Sequence, residues 1–204
     1  HRRIQETPTP LTLAQHKARR EHPDRQAAIC GDRRTTFADL YSQVAQLAGG
    51  LHAAGVRRGD RVLVLAPNTD RFLVAAYATW WLGAVLTPLN CRWSVDELAF
   101  ALADSGAGML LLDDAFVPML PALREKSKVW PTIVVIGGSG AAPEGAWRYE
   151  ALLDHGVALD DAYLGGDAPA LLLYTGGTTG RSKGVLLSHA GLFSATMASP
   201  AIGA

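Results

Sequence analysis

RVLVLAPNTDRFLVAAYATWWLGAVLTPL, residues 61–89, is the stretch whose reading decides the fold. Residues 61–66 (RVLVLA) are an apolar run of strand length, and they read as a buried strand. Pro67 and Asn68 end that run and turn the chain into a helix beginning near Thr69. The following FLVAAYATWWLGAVLTPL, residues 72–89, is the longest apolar segment. It raises a membrane reading, because about 20 such residues span a bilayer. Gly83 divides it into a buried helix and a second strand, residues 85–89, with Pro88 near the strand's end. Strand, crossover helix and strand account for both halves, and a βαβ unit pairs its strands in parallel. The expectation is an α/β fold, a mainly parallel β-sheet flanked by helices, with no transmembrane segment.

Working outward, the same alternation continues on both sides. Towards the N-terminus, Phe37, Leu40, Val44, Leu47, Ala48 and Leu51 recur at helical spacing. Thr36 caps that helix with Asp39 at its third position, and Gly55 closes it. Residues 27–30 and 35–37 flank Gly31 and Asp32 as a hairpin, residues 11–22 suggest a short surface helix, and residues 1–10 read as a flexible arm broken by Pro8 and Pro10. Towards the C-terminus, Ser94 and Glu97 form a capping box for a helix over 95–104 that stops at Gly106. Strands follow at 109–112 and 132–136, with a proline-interrupted apolar stretch at 116–123 between them. Residues 137–145 (GGSGAAPEG) are a surface loop, 147–155 a short helix, and 156–167 a return into the next strand.

At 204 residues and 49% hydrophobic content, the chain can bury a sizeable core as one domain or a large part of one. Nineteen basic residues balance nineteen acidic ones, so no global field favours nucleic acid or an anionic membrane, and any anion site must be local. Cys30 and Cys91 lack the spacing of a metal or redox pair, and reduced, buried thiols in a cytoplasmic protein are expected. TPTPLTL behind Arg2 and Arg3 is too short and too proline-broken for a secretory apolar region, so no signal peptide is expected.

The chemistry concentrates in LLLYTGGTTGRSKGVLLSH, residues 171–189. The apolar run 171–173 reads as a buried strand feeding a loop of glycines and threonines, and 185–187 as a second strand. Three glycines let backbone N–H groups converge on an anion, three threonines add hydroxyls, and Lys183 adds a mobile ammonium. Charge-assisted contacts of that kind are about twice as strong as neutral ones. A polyphosphate suits such a loop, whereas a plain turn between strands is the structural alternative. Neither GxxxxGK[ST] nor GxGxxG fits, since Lys183 is followed by Gly184 and no helix opens there.

YTGGTTGRSKGV resembles the phosphate-binding signature of the adenylate-forming (AMP-binding) superfamily, which includes acyl-CoA synthetases, peptide-synthetase adenylation domains and firefly-type luciferases. Gly176 stands where that pattern often has serine and Ser182 where it often has proline. The stretch from Thr35 to Asp114 is similar throughout to the amino-terminal half of acyl-CoA synthetase large domains. The resemblance implies that residues 11–204 are the amino-terminal portion of such a large domain, with its later parts absent. It implies that Gly176, Gly177, Thr178, Thr179, Gly180 and Lys183 wrap the terminal phosphates of ATP, and that Thr175 contacts Mg²⁺. It implies ATP, Mg²⁺ and coenzyme A as reactants, with a carboxylic acid as substrate.

Three functions stand beside one another on this reading. The first is an ATP-dependent acid–CoA ligase for a fatty-acyl or aryl acid, inactive as residues 1–204 alone and prone to self-association through uncovered apolar surface. The second is an amino-acid-activating domain serving a carrier protein, and the third a non-catalytic nucleotide-binding or interaction module. Among other polar residues, His189 is expected to start a helix, Asp113 and Asp114 to be turn or cap residues, and Trp80 and Trp81 to be core. His52 and His155 have no visible partners.

Overall fold

The computed structural model describes residues 10–138, 140–175 and 182–197. A two-stranded antiparallel hairpin, β1 (Gln26–Cys30) and β2 (Arg33–Thr36), precedes the main sheet. Seven strands build that sheet: β3 (Arg61–Leu65), β4 (Val85–Pro88), β5 (Met109–Leu112), β6 (Thr132–Val135), β7 (Trp147–Arg148), β8 (Pro169–Thr175) and β9 (Lys183–Ser188). Their spatial order is β7-β6-β5-β3-β4-β8-β9, with β3 to β8 parallel and β9 antiparallel at one edge. The α/β expectation holds. Trp147 and Arg148, expected as the start of a helix, instead add the far edge strand beside Val134 and Val135. The helix α6 begins only at Tyr149 (Tyr149–His155).

Alternation along β3 shows why the sheet is covered on both faces. Val62 and Val64 point into one core with Val44, Leu47 and Leu51 of α2 (Phe37–Ala53), Val74 and Trp81 of α3 (Asp70–Trp81) and Leu152 of α6. Leu63 and Leu65 point into the other with Leu98 and Leu102 of α4 (Val95–Ser105) and Leu123 of α5 (Leu120–Lys126). Both capping boxes form: Asp39 N–H donates to Thr36 Oγ1 at 3.1 Å, and Ser94 N–H donates to Glu97 Oε2 at 2.8 Å. Gly106 ends α4 in the left-handed region at φ 61°, where a side chain would be strained.

The 156–168 connector crosses the first helical layer through main-chain contacts. Leu159 N–H donates to Ala45 O at 3.2 Å, and Ala162 N–H to Trp81 O at 2.8 Å. Trp81 is core, as expected, whereas Trp80 is half-buried and packs against that core, and each indole has a partner: Nε1 of Trp80 donates to Ala170 O and Nε1 of Trp81 to Leu159 O. The thiols differ from expectation. Cys91 is exposed because it lies in the turn after β4, and Cys30 is half-buried because its hairpin stands outside the main sheet. No described helix is long and apolar enough to cross a membrane.

Pro10 is buried and its carbonyl accepts from Leu13 N–H at 3.1 Å, docking the start of α1 (Leu13–Glu21). The rest of the expected arm, residues 1–9, lies outside the described residues.

The close approach of this connector to α2 sets a packing test. A Cβ on Gly49 would meet Val157 O at 2.0 Å. Gly49→Ala should therefore lower stability by about 1–3 kcal/mol in urea unfolding, although alanine is favoured over glycine in a helix by about 1 kcal/mol. Unchanged or raised stability would show that the connector yields.

Candidate functional site

The stretch read as phosphate-binding leaves β8 and returns in β9. Leu86 of β4 pairs with Leu171 of β8, so Thr175 falls level with position 90, two residues past the end of β4. At about 3.3 Å per residue that is an overhang of about 7 Å. The hairpin therefore opens at the carboxyl edge of the parallel strands, two places from β3, the strand around which strand order reverses. Open α/β sheets bind ligands at such edges.

Thr175 and Lys183 face each other as the last pair of the β8–β9 ladder, and both are exposed. The Thr175 hydroxyl makes one long contact, to Lys183 O at 3.5 Å, which leaves it free to turn to another partner. Among the described residues, the Lys183 ammonium has no ion pair. Gly176, Gly177, Thr178, Thr179 and Gly180 lie outside the described residues.

What holds this opening in place is a residue not singled out as functional from the sequence. Tyr174 is 7% exposed, and its hydroxyl donates to Asp104 Oδ2 at 2.7 Å. Its ring meets Trp93 and Phe100 edge-on, at 6.0 and 6.4 Å between centroids. Burial, reinforced by Asp104, pushes the phenol well above its ordinary range, so it stays a neutral donor. Opposite Tyr174 stands Gly184, where a Cβ would come within 3.0 Å of Leu172 Cδ1 and 3.4 Å of the tyrosine ring. A polar ring ending an apolar run was the available signal, but nothing in the sequence pointed to Asp104.

Ser182 lines an open cleft of about 560 Å³ with Phe100, Lys126 and Lys128, adjoining the hairpin. Asp96 and Glu97 line it as well, and Lys126 pairs with Asp96 at 2.6 Å. Asp113 caps the turn after β5 by accepting from Ala115 N–H at 3.2 Å. No group of three or more His, Cys, Asp or Glu that could hold a metal occurs among the described residues.

After β9, α7 (His189–Met197) starts at His189, with Ser188 Oγ accepting from Gly191 N–H at 3.1 Å. His189 does start the helix, and it does more. It is 1% exposed, and its Nδ1 accepts from Leu11 N–H at 3.4 Å, which puts the proton of the neutral ring on Nε2. Burial holds its pKa below the ordinary 6.5, against a smaller opposing pull from Asp161. Asp161 is itself a hub: Oδ2 accepts from Thr12 and meets His16 Nε2 at 2.7 Å, while Oδ1 accepts from Tyr163 N–H at 2.8 Å. His16 is stacked between Trp81 and Tyr163, with centroids 4.8 Å from each.

The family described as "AMP-binding enzyme" matches residues 15–202. Over 173 residues the chain is 38% identical to feruloyl-CoA synthase from Amycolatopsis sp, covering 85% of this chain and 32% of that protein. It is 40% identical over 159 residues to a long-chain-fatty-acid–CoA ligase of Thermus thermophilus, covering 78% and 29%. The o-succinylbenzoate CoA synthetase of Bacillus subtilis, solved in complex with the acyl-adenylate intermediate OSB-AMP, superposes with a TM-score of 0.74 at 28% identity, covering 97% of this chain and 47% of that one. The chain thus spans about a third of the length of the curated relatives it matches.

The buried imidazole of His189 gives this end of the hairpin a pH signature. Its depressed pKa means that the unfolded chain takes up the proton first as pH falls. Stability should be full above about pH 7 and should decline as pH drops through about 6.5 towards the folded-state value. His189→Asn should flatten that decline in urea-midpoint measurements from about pH 7.5 to 5, and parallel curves for the two proteins would contradict it.

Proposed function

The chain belongs to the AMP-binding enzyme family, and from that premise we propose that it is the amino-terminal portion of an ATP-dependent acid–CoA ligase acting on a fatty-acyl or aryl acid. The observation that carries this reading is the β8–β9 hairpin, which presents Thr175 and Lys183 at the carboxyl edge of a parallel sheet on either side of GGTTGRS. Similarity to feruloyl-CoA and long-chain-fatty-acid–CoA ligases supports the substrate class, and the acyl-adenylate bound to the succinylbenzoate relative supports the intermediate.

A carboxylate is a poor acyl donor because its leaving group would be oxide. In the proposed reaction one carboxylate oxygen attacks the α-phosphorus of ATP and pyrophosphate leaves, giving an acyl-adenylate. The thiol of coenzyme A then attacks the acyl carbon and AMP departs. Phosphoryl transfer calls for positioning and charge stabilisation more than for covalent help. On this reading Lys183 meets the growing charge on the terminal phosphates, together with backbone N–H groups of Gly176, Gly177 and Gly180 and the hydroxyls of Thr178 and Thr179.

The exposed, weakly engaged Thr175 hydroxyl suits a hard cation, so Thr175 is the proposed Mg²⁺ contact. Mg²⁺ would supply charge neutralisation at the phosphates. Tyr174 and Asp104 act at one remove, fixing the strand from which Thr175 projects. Two free thiols and no disulfide among the described residues are in keeping with a cytoplasmic setting.

The whole protein should exchange labelled pyrophosphate into ATP when supplied with its acid. No exchange across a panel of fatty, aryl and amino acids would overturn the assignment. Lys183→Ala should lower that exchange by roughly 10- to 1000-fold, the equivalent of about 1.5–4 kcal/mol for one charged contact in the transition state. An unchanged rate would remove Lys183 from the mechanism.

Residues 1–204 by themselves should show no turnover. They should also self-associate through β9, whose Val185 and Leu186 are 42% and 56% exposed on an edge that is unpaired among the described residues. A monomeric elution profile together with micromolar ATP binding would instead favour a self-sufficient binding module.

A further inference from the structure

A cavity of about 510 Å³ lies between α5, the turn that precedes it and residues 143–146. Its walls are apolar, with Val117, Leu120 and Ile133 among them, and among the described residues the charges on its lining are Arg124 and Glu144. It belongs to the β6 side of the sheet. Three strands separate β6 from β8, which puts the cavity about 19 Å from the phosphate-loop hairpin in the strand-to-strand direction. None of Thr175, Ser182 or Lys183 lines it.

Arg124 gives this cavity its chemistry. The guanidinium carbon sits over the Trp130 ring, 4.8 Å from its centroid, in a cation–π contact. A cation–π contact occupies no hydrogen-bond acceptor, so the guanidinium keeps the N–H donors that take a carboxylate through two parallel hydrogen bonds. Among the described residues the Arg124 side chain makes no hydrogen bond and no ion pair. An unspent guanidinium beside an apolar hollow of ligand size is the arrangement that recognises an acid with a hydrocarbon body.

We propose that this cavity is a second binding site, separate from the phosphate-loop end of the sheet, for a monocarboxylate with an apolar tail or ring. The carboxylate pairs with Arg124 and the hydrocarbon part lies against Leu120 and Ile133. Glu144 repels a negative ligand, so it disfavours dicarboxylates and weakens the site for every acid. The proposal does not rest on the adenylation reading and can fail or stand without it.

The test uses the 204-residue chain and three probes sharing one tail: decanoate, decanol and decylammonium, each kept below its micelle concentration in calorimetric titrations. Decanoate should bind at least about 10-fold more tightly than either of the others. Arg124→Gln should weaken decanoate by roughly 10- to 100-fold, to the level of decanol, while Glu144→Gln should strengthen it severalfold. Ala146→Leu, which fills the hollow, should weaken all probes alike. A diazirine-bearing decanoate should crosslink within residues 116–133 or 143–146. Equal affinity for decanoate and decanol, indifference to Arg124→Gln in a variant that melts like the parent, crosslinks concentrated elsewhere, or no decanoate binding up to millimolar concentration would each overturn the proposal.

Discussion

The architecture around the candidate site depends on the docking of β8 against β4. Residues from β5 to the 156–168 connector build the other half of the sheet before the chain returns to take this place. The ladder itself is slight, registered at Leu86 and Leu171, and the indole of Trp80 adds a second tie by donating to Ala170 O at 2.8 Å. Because side chains alternate along a strand, a slip of one residue would exchange Tyr174 with its neighbours and turn the Asp104 contact out of the core. The register therefore fixes how far Thr175 overhangs β4 and which face the aromatic anchor buries.

A second constraint comes from the carboxylate of Asp161, whose side chain is 1% exposed. A buried carboxylate is costly unless its oxygens are satisfied, and here Thr12, His16 and the Tyr163 amide all converge on it. Tyr163 adopts φ 51°, unusual for a bulky residue, and the hydrogen bond from its amide to Asp161 helps hold it there. These contacts join α1 to the connector, while Ala190 N–H donating to Gly166 O at 2.9 Å joins the connector to α7. The helix after the hairpin and the amino-terminal helix thus share one polar seam, and His189 lies along it.

Local signals in the sequence were reliable where one element's chemistry determined its own boundary. The Thr36–Asp39 and Ser94–Glu97 boxes, the stop at Gly106 and the break at Gly83 all act within a few residues, and each element formed where its caps required. Trp147 and Arg148 went the other way, because a two-residue edge strand is defined by the β6 edge it meets and not by its own composition. The same reasoning explains the site. Thr175 and Lys183 were legible as a motif, whereas Asp104, 70 residues before Tyr174, becomes its partner only through the fold. The Asp161 seam spans 149 residues to Thr12 and carried no local pattern at all.

The stretch read as phosphate-binding also differs from the better-known glycine-rich signatures in the element that follows it. Where a strand feeds a loop and then a helix, the helix N-terminus supplies aligned N–H groups and a partial positive charge for the anion. Here the chain turns into β9, an antiparallel strand, and α7 begins only after six further residues at the opposite end of the ladder. Among the described residues of this segment, no helix opens at the carboxyl edge. Lys183, the first residue of β9, stands directly across from Thr175 at a backbone position fixed by the ladder. An ammonium in that place has a mobile reach from a rigid base.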